Sequence, residues 1–172
     1  FVFALAFVSL FVPFFDLGLS PIVTREFSRE KNREKEFSSI LSLRVLLGFL
    51  AITLILIFSF FVTRDPEIRK IIWILAFFAF VSQFPEIIYA FLRARQRMEY
   101  ESWANILQVF LVVGCGFFVI FNFPSVENIS YSYLFASLIG LILLLVFFHF
   151  KIYPLRCSFK TNIWKRFLLM SW

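Results

Sequence analysis

Val45-Leu46-Leu47-Gly48-Phe49-Leu50-Ala51-Ile52-Thr53-Leu54-Ile55-Leu56-Ile57-Phe58-Ser59-Phe60-Phe61-Val62 carries no charge over its whole length. An apolar run of this length matches a helix crossing a hydrocarbon core about 30 Å thick. In lipid a chain must satisfy its backbone polar groups internally, so the run is expected to be a transmembrane helix.

The pattern repeats on both sides. Apolar blocks occupy about residues 1–23, 38–62, 71–92, 102–121 and 129–150, and another opens near 167. Short polar segments separate them, so consecutive helices are expected to pack antiparallel. The expected fold class is an all-α integral membrane protein, an antiparallel transmembrane helix bundle. It holds five complete helices and the start of a sixth in one unit, 1–172. Phe1 and Trp172 both fall inside apolar blocks, and both ends read as cuts in a longer chain. Pro13, Asp16-Leu17-Gly18 and Pro85 interrupt their blocks, which spanning helices tolerate when neighbours take up the freed backbone groups.

Composition agrees. Hydrophobic residues make up 61% and the mean hydropathy is +0.88, against about 45–50% apolar in soluble domains. The net charge of +6 would suggest nucleic acid in a soluble protein. Here the basic residues lie between apolar blocks, so membrane lipid headgroups and topology account for them. No nucleic-acid partner is expected. Cys115 and Cys157 lie at different depths, so no disulfide between them is expected, and their spacing matches no metal motif. No catalytic constellation, phosphate-binding loop or cofactor motif is present. The expectation is therefore a non-enzyme without a cofactor.

The loops also give an orientation. Those after the first, third and fifth blocks carry thirteen Lys and Arg, while the other two carry three. The positive-inside rule places the first set in the cytoplasm. The first helix then runs inward through a multi-pass protein of the cell (plasma or inner) membrane.

A charge at a helix centre costs about 2.5–3.5 kcal/mol on insertion scales, and each Leu or Phe returns about 0.3–0.6. Intramembrane charges are therefore tolerable but must face the bundle interior. Asp16, Arg44 and Glu86 are the three, at similar depth in the cytoplasmic half. Ser82, Glu86, Tyr89 and Arg93 share one helical face. Asn105 and Gln108 share another. The candidate substrate or cavity residues are Asp16, Arg44, Glu86, Tyr89, Arg93, Asn105 and Gln108. Two arrangements fit them: a polar cavity open to the cytoplasm, or interhelical ion pairs such as Asp16 with Arg44. Arg44 also has the option of snorkelling to the interface. His149 is expected to be interfacial.

Phe15-Asp16-Leu17-Gly18-Leu19-Ser20 with Val23-Thr24-Arg25-Glu26 resembles the second helix and its exit in polysaccharide flippases. These are the O-antigen and teichoic-acid exporters of the multidrug/oligosaccharidyl-lipid/polysaccharide exporter superfamily. Phe91-Leu92-Arg93-Ala94-Arg95-Gln96-Arg97-Met98-Glu99-Tyr100, followed by Asn105-Ile106-Leu107, resembles their fourth-to-fifth helix junction. Trp164-Lys165-Arg166-Phe167-Leu168-Leu169-Met170-Ser171-Trp172 resembles the start of their seventh helix. The resemblance covers most of the chain. It implies part of a two-bundle transporter that turns a lipid-linked saccharide from the inner to the outer leaflet by alternating access. It implies a cationic cavity, with Arg44 and Arg93 on phosphate. Two of the three intramembrane charges here are acids, which leaves Asp16 and Glu86 to gate or to couple H+ or Na+. The alternatives are a drug or metabolite exporter of the same superfamily, a membrane-embedded glycan-synthesis enzyme, or an assembly subunit.

Overall fold

The computed structural model describes residues 1–29, 34–122, 125–152 and Trp164. Among them lie eight helices: α1 (Val2–Ser9), α2 (Val12–Asp16), α3 (Leu19–Arg29), α4 (Glu34–Val62), α5 (Pro66–Gln83), α6 (Pro85–Ala94), α7 (Met98–Asn122) and α8 (Val126–Lys151). No strand occurs among the described residues. The protein is an all-α transmembrane helix bundle. Four spans are long and apolar enough to cross a membrane: 36–62, 66–94 with α5 and α6 in line, 98–122 and 126–151. A fifth forms if α1 and the α2–α3 segment, bent by 43°, count as one. The expected sixth start near 167 lies outside the described residues, as does Cys157.

Several helices run beyond the apolar blocks. α3 continues past Val23 to Arg29, because Phe27 is buried against Phe37 and Phe91. α5 begins at Pro66, ahead of the apolar block. Asp65 accepts a hydrogen bond from the Glu67 N–H at 3.0 Å and Pro66 needs no donor, a capped helix start.

The breaks have local causes. Leu17 and Gly18 adopt left-handed backbone, with φ of 46° and 76°, which ends α2 and restarts the chain as α3. Pro85 removes the N–H that would serve the carbonyl four residues earlier, and α5 passes into α6 there.

Packing follows small side chains and aromatic rings. α3 lies along α6; α5 packs on α1, α4 and α8; α7 packs on α8. Ala4, Ala51 and Ala76 are fully buried in one cluster with Phe15, Ile55 and Ile72. Small residues allow such close approach where lipid gives no hydrophobic drive between helices. At the other end Phe27, Phe37, Phe91 and Phe148, from α3, α4, α6 and α8, bring four buried rings together. The Phe37 and Phe91 ring centroids are 4.5 Å apart. That end also holds the basic α6–α7 turn. The starts of α5 and α8 meet at the opposite end, where Lys70 is hydrogen-bonded to Glu127. The described helix ends that flank the loops counted together by charge thus share an end.

Candidate functional site

Arg44 sits in the middle of the bundle with 2% of its side chain exposed. Its length would let it reach the interface, but the guanidinium turns inward. One terminal nitrogen donates to the Asp16 carboxylate and to the Phe15 carbonyl, each at 2.5 Å. The other donates to the Gln83 carbonyl at 2.7 Å. Phe15 lies just before the left-handed break, and Gln83 is the last residue of α5. A single guanidinium on α4 therefore ties together the breaks of two other helices. A planar group with five donors suits this task, and a buried carbonyl without a partner would cost about 1–3 kcal/mol.

Asp16 serves both sides of its own break. Its other contacts are the Ser20 hydroxyl at 2.7 Å and the Ser20 N–H at 3.3 Å. It thus caps the restarting α3 while neutralising Arg44. One turn beyond Arg44, Gly48 leaves room for the Phe80 ring. That ring also meets Phe15, Phe49 and Phe84.

A second charge group lies nearer the basic end. Arg93 is 3.0 Å from the Glu86 carboxylate and 3.2 Å from that of Glu101. It is 36% exposed and Glu86 is 44% exposed, so this group is open to water or ligand while Arg44 is not. Glu86 and Arg93 lie seven residues apart on α6, and Glu101 comes from the first turn of α7.

The seven expected residues therefore divide. Asp16 and Arg44 form one centre; Glu86 and Arg93 form another, with Glu101. Tyr89 is buried at 3% exposure on α6, between those two charges in sequence. Gln108 packs against Gly140 of α8. Asn105 shares a helical face with it, yet is exposed on α7. It does not join the rest, because α8 covers the part of that face around Gln108 and leaves Asn105 outside.

Sequence reasoning did not single out Thr24, Phe80, Gly48 or Glu101. Thr24 donates to the Ala90 carbonyl at 3.3 Å and pins α3 to α6. The Trp164 indole N–H donates to the Ser39 carbonyl of α4 at 2.9 Å. The signal for Ser20 was present, since Asp16 and Ser20 are one helical turn apart. Among the described residues no three His, Cys, Asp or Glu are grouped to hold a metal ion.

The family model of the polysaccharide biosynthesis proteins matches residues 1–172. The chain belongs to the polysaccharide biosynthesis protein family. No match was found among curated proteins or among solved structures. As a member of this family, it is a transmembrane protein of polysaccharide synthesis and export. Two of the motifs quoted for the flippase resemblance fall at structural junctions of this family member, and the third, 164–172, lies outside the described residues apart from Trp164. Phe15–Ser20 holds the break between α2 and α3 with its capping carboxylate. Phe91–Tyr100 holds the basic turn between α6 and α7.

Proposed function

We propose that this bundle is one lobe of a transporter that turns a lipid-linked saccharide from the inner to the outer leaflet of the cell membrane. The observation that carries the reading is the Arg44 centre in a chain of the polysaccharide biosynthesis family: one cation joins two helix breaks and one acid. Broken helices that place backbone and charge within the membrane are a recurrent feature of transporter sites. The basic end faces the cytoplasm, as the positive-inside rule requires. Alternating access proceeds by rocking this lobe against a partner lobe.

In this mechanism Arg93 is the first cation to meet the substrate phosphate, because it is the exposed one of the pair. Phosphate competes with Glu86 and Glu101 for its donors. Arg44 is sealed behind Asp16 in the described state and becomes available only as the breaks move. Asp16 and Glu86 then take up H+ or Na+ when their arginines are engaged elsewhere. That exchange links ion movement to the position of the lobes.

The test is transport of a fluorescent lipid-linked oligosaccharide in proteoliposomes, with an imposed pH or sodium gradient. Asp16→Asn and Glu86→Gln should each lower the gradient-driven rate at least tenfold at equal protein content. Undiminished, gradient-dependent transport by both variants would remove them from the mechanism. A parent protein that moves no lipid-linked saccharide would remove the function.

A further inference from the structure

α5 and α8 start side by side at the end away from the basic turn, and a groove of about 350 Å³ runs between them. Lys70 of α5 lines its mouth and is hydrogen-bonded to Glu127 of α8. Trp73, Phe77 and Val81 continue the α5 wall, and Tyr131, Leu134 and Leu138 form the α8 wall. Steps of three and four residues put each wall on a single helical face. The two walls are equally long: Val81 is eleven residues along from Lys70, and Leu138 eleven from Glu127, with no charged residue in between. At a rise of 1.5 Å per residue this is about 16 Å, half of a hydrocarbon core about 30 Å thick. The groove is therefore one leaflet deep. Trp73 and Phe77 leave its outer side exposed. The Trp73 indole N–H donates to the Ser59 hydroxyl of α4 at 3.1 Å, which fixes the ring. Trp73 and Tyr131, one turn from the mouth, are residue types that settle at headgroup depth.

The mouth is balanced in charge. Between Val62 and the first turn of α5, and between Asn122 and the first turn of α8, the sequence holds three cations, Arg64, Arg69 and Lys70, and three acids, Asp65, Glu67 and Glu127. Arg69 is engaged elsewhere: it donates to the Thr63 carbonyl at 2.9 Å and lies 4.5 Å from the Phe60 ring centroid. The pair at the mouth is open to water, with Lys70 55% and Glu127 41% exposed. An exposed pair of this kind contributes little to stability and parts readily. A lone anion at Lys70 would meet Glu127, and a lone cation at Glu127 would meet Lys70. A headgroup that carries both charges pairs with both.

We infer that this groove binds a zwitterionic aminophospholipid, phosphatidylethanolamine, from the leaflet away from the basic end. Its phosphate sits at Lys70, its primary ammonium at Glu127, and one acyl chain lies between α5 and α8. The primary ammonium donates hydrogen bonds to the carboxylate as a lysine would, whereas a trimethylated one has no N–H to give. The inference does not rest on saccharide transport.

The test is native mass spectrometry of the purified protein released from mixed micelles. The probes are dioleoyl phosphatidylethanolamine, phosphatidylcholine and phosphatidylglycerol in equal amounts. The parent should retain the ethanolamine lipid several-fold over each of the others. Glu127→Gln should abolish the preference for ethanolamine over choline. Glu127→Lys, which puts two cations at the mouth, should turn the preference toward the glycerol lipid. Leu138→Trp, which fills the foot of the groove, should weaken the dioleoyl ethanolamine lipid but not its dihexanoyl analogue. Melting temperatures of all variants are compared with the parent, and the exposed Glu127 position gives variants that fold. Equal retention of ethanolamine and choline lipids by the parent, or an unchanged preference in Glu127→Gln, overturns the inference. Stronger retention of the glycerol lipid by the parent overturns it too, since the mouth would then act as a cation alone. A parent that retains no lipid and runs as a dimer, which Leu138→Trp breaks, would give the groove to a second copy of the chain instead.

Discussion

The Phe80 ring fills the space that a Cβ on Gly48 would take, and such a Cβ would overlap two of the ring carbons. The ring has little freedom to withdraw, because Phe15, Phe49 and Phe84 surround it. Gly48→Leu should therefore destabilise the bundle by about 1–3 kcal/mol, the range for overpacking. Adding Phe80→Ala should recover part of that loss. The check is the detergent-solubilised melting temperature of the three proteins. By contrast, a Cβ on Gly114 of α7 meets nothing within 4 Å, and Gly114→Ala should leave the melting temperature unchanged or raise it.

Arg44→Gln should be among the most damaging single changes, at about 3 kcal/mol or more. It strands the Phe15 and Gln83 carbonyls and leaves Asp16 without its cation. Arg44→Lys should fail nearly as badly, since one ammonium does not match a planar donor group spread over three oxygens on two helices. Chemical denaturation in mixed micelles ranks the three. A lysine variant as stable as the parent would mean that charge alone is what the site requires.

Asp16 and Arg44 should be coupled beyond additivity. Asp16→Asn keeps an acceptor for Ser20 but leaves a buried cation, whereas Asp16→Asn combined with Arg44→Gln removes both charges. The cycle should show an interaction energy of about 1–3 kcal/mol. Additive losses within error would show that the 2.5 Å contact contributes nothing specific.

Orientation is testable by labelling. With Cys115 and Cys157 replaced by serine, Gln96→Cys on the basic turn should react with an impermeant maleimide only from the cytoplasmic face. Ser125→Cys, exposed before α8, should react only from the other. Labelling of both from one face would contradict the helix order.

The spans were readable because a crossing helix must be apolar for about 20 residues, and few other structures need that. The breaks were readable too, at Pro13, Gly18 and Pro85. The Asp16–Arg44 contact could be weighed, because opposite charges at one depth on neighbouring helices have few other partners. The remaining Arg44 acceptors could not be read: Phe15 and Gln83 contribute through main-chain carbonyls, which no side chain announces. Asn105 and Gln108 were indistinguishable by spacing, and only the position of α8 separates them. Glu101 looked like loop charge, yet α7 begins at Met98 and brings it onto Arg93.

Two breaks that loosened independently would give this bundle four states: both held, both open, and two mixed. Because one guanidinium serves acceptors at both, each mixed state leaves part of that guanidinium's donor set without acceptors in a low-dielectric interior. The mixed states are thereby raised in energy, so the two breaks should loosen together and not one at a time.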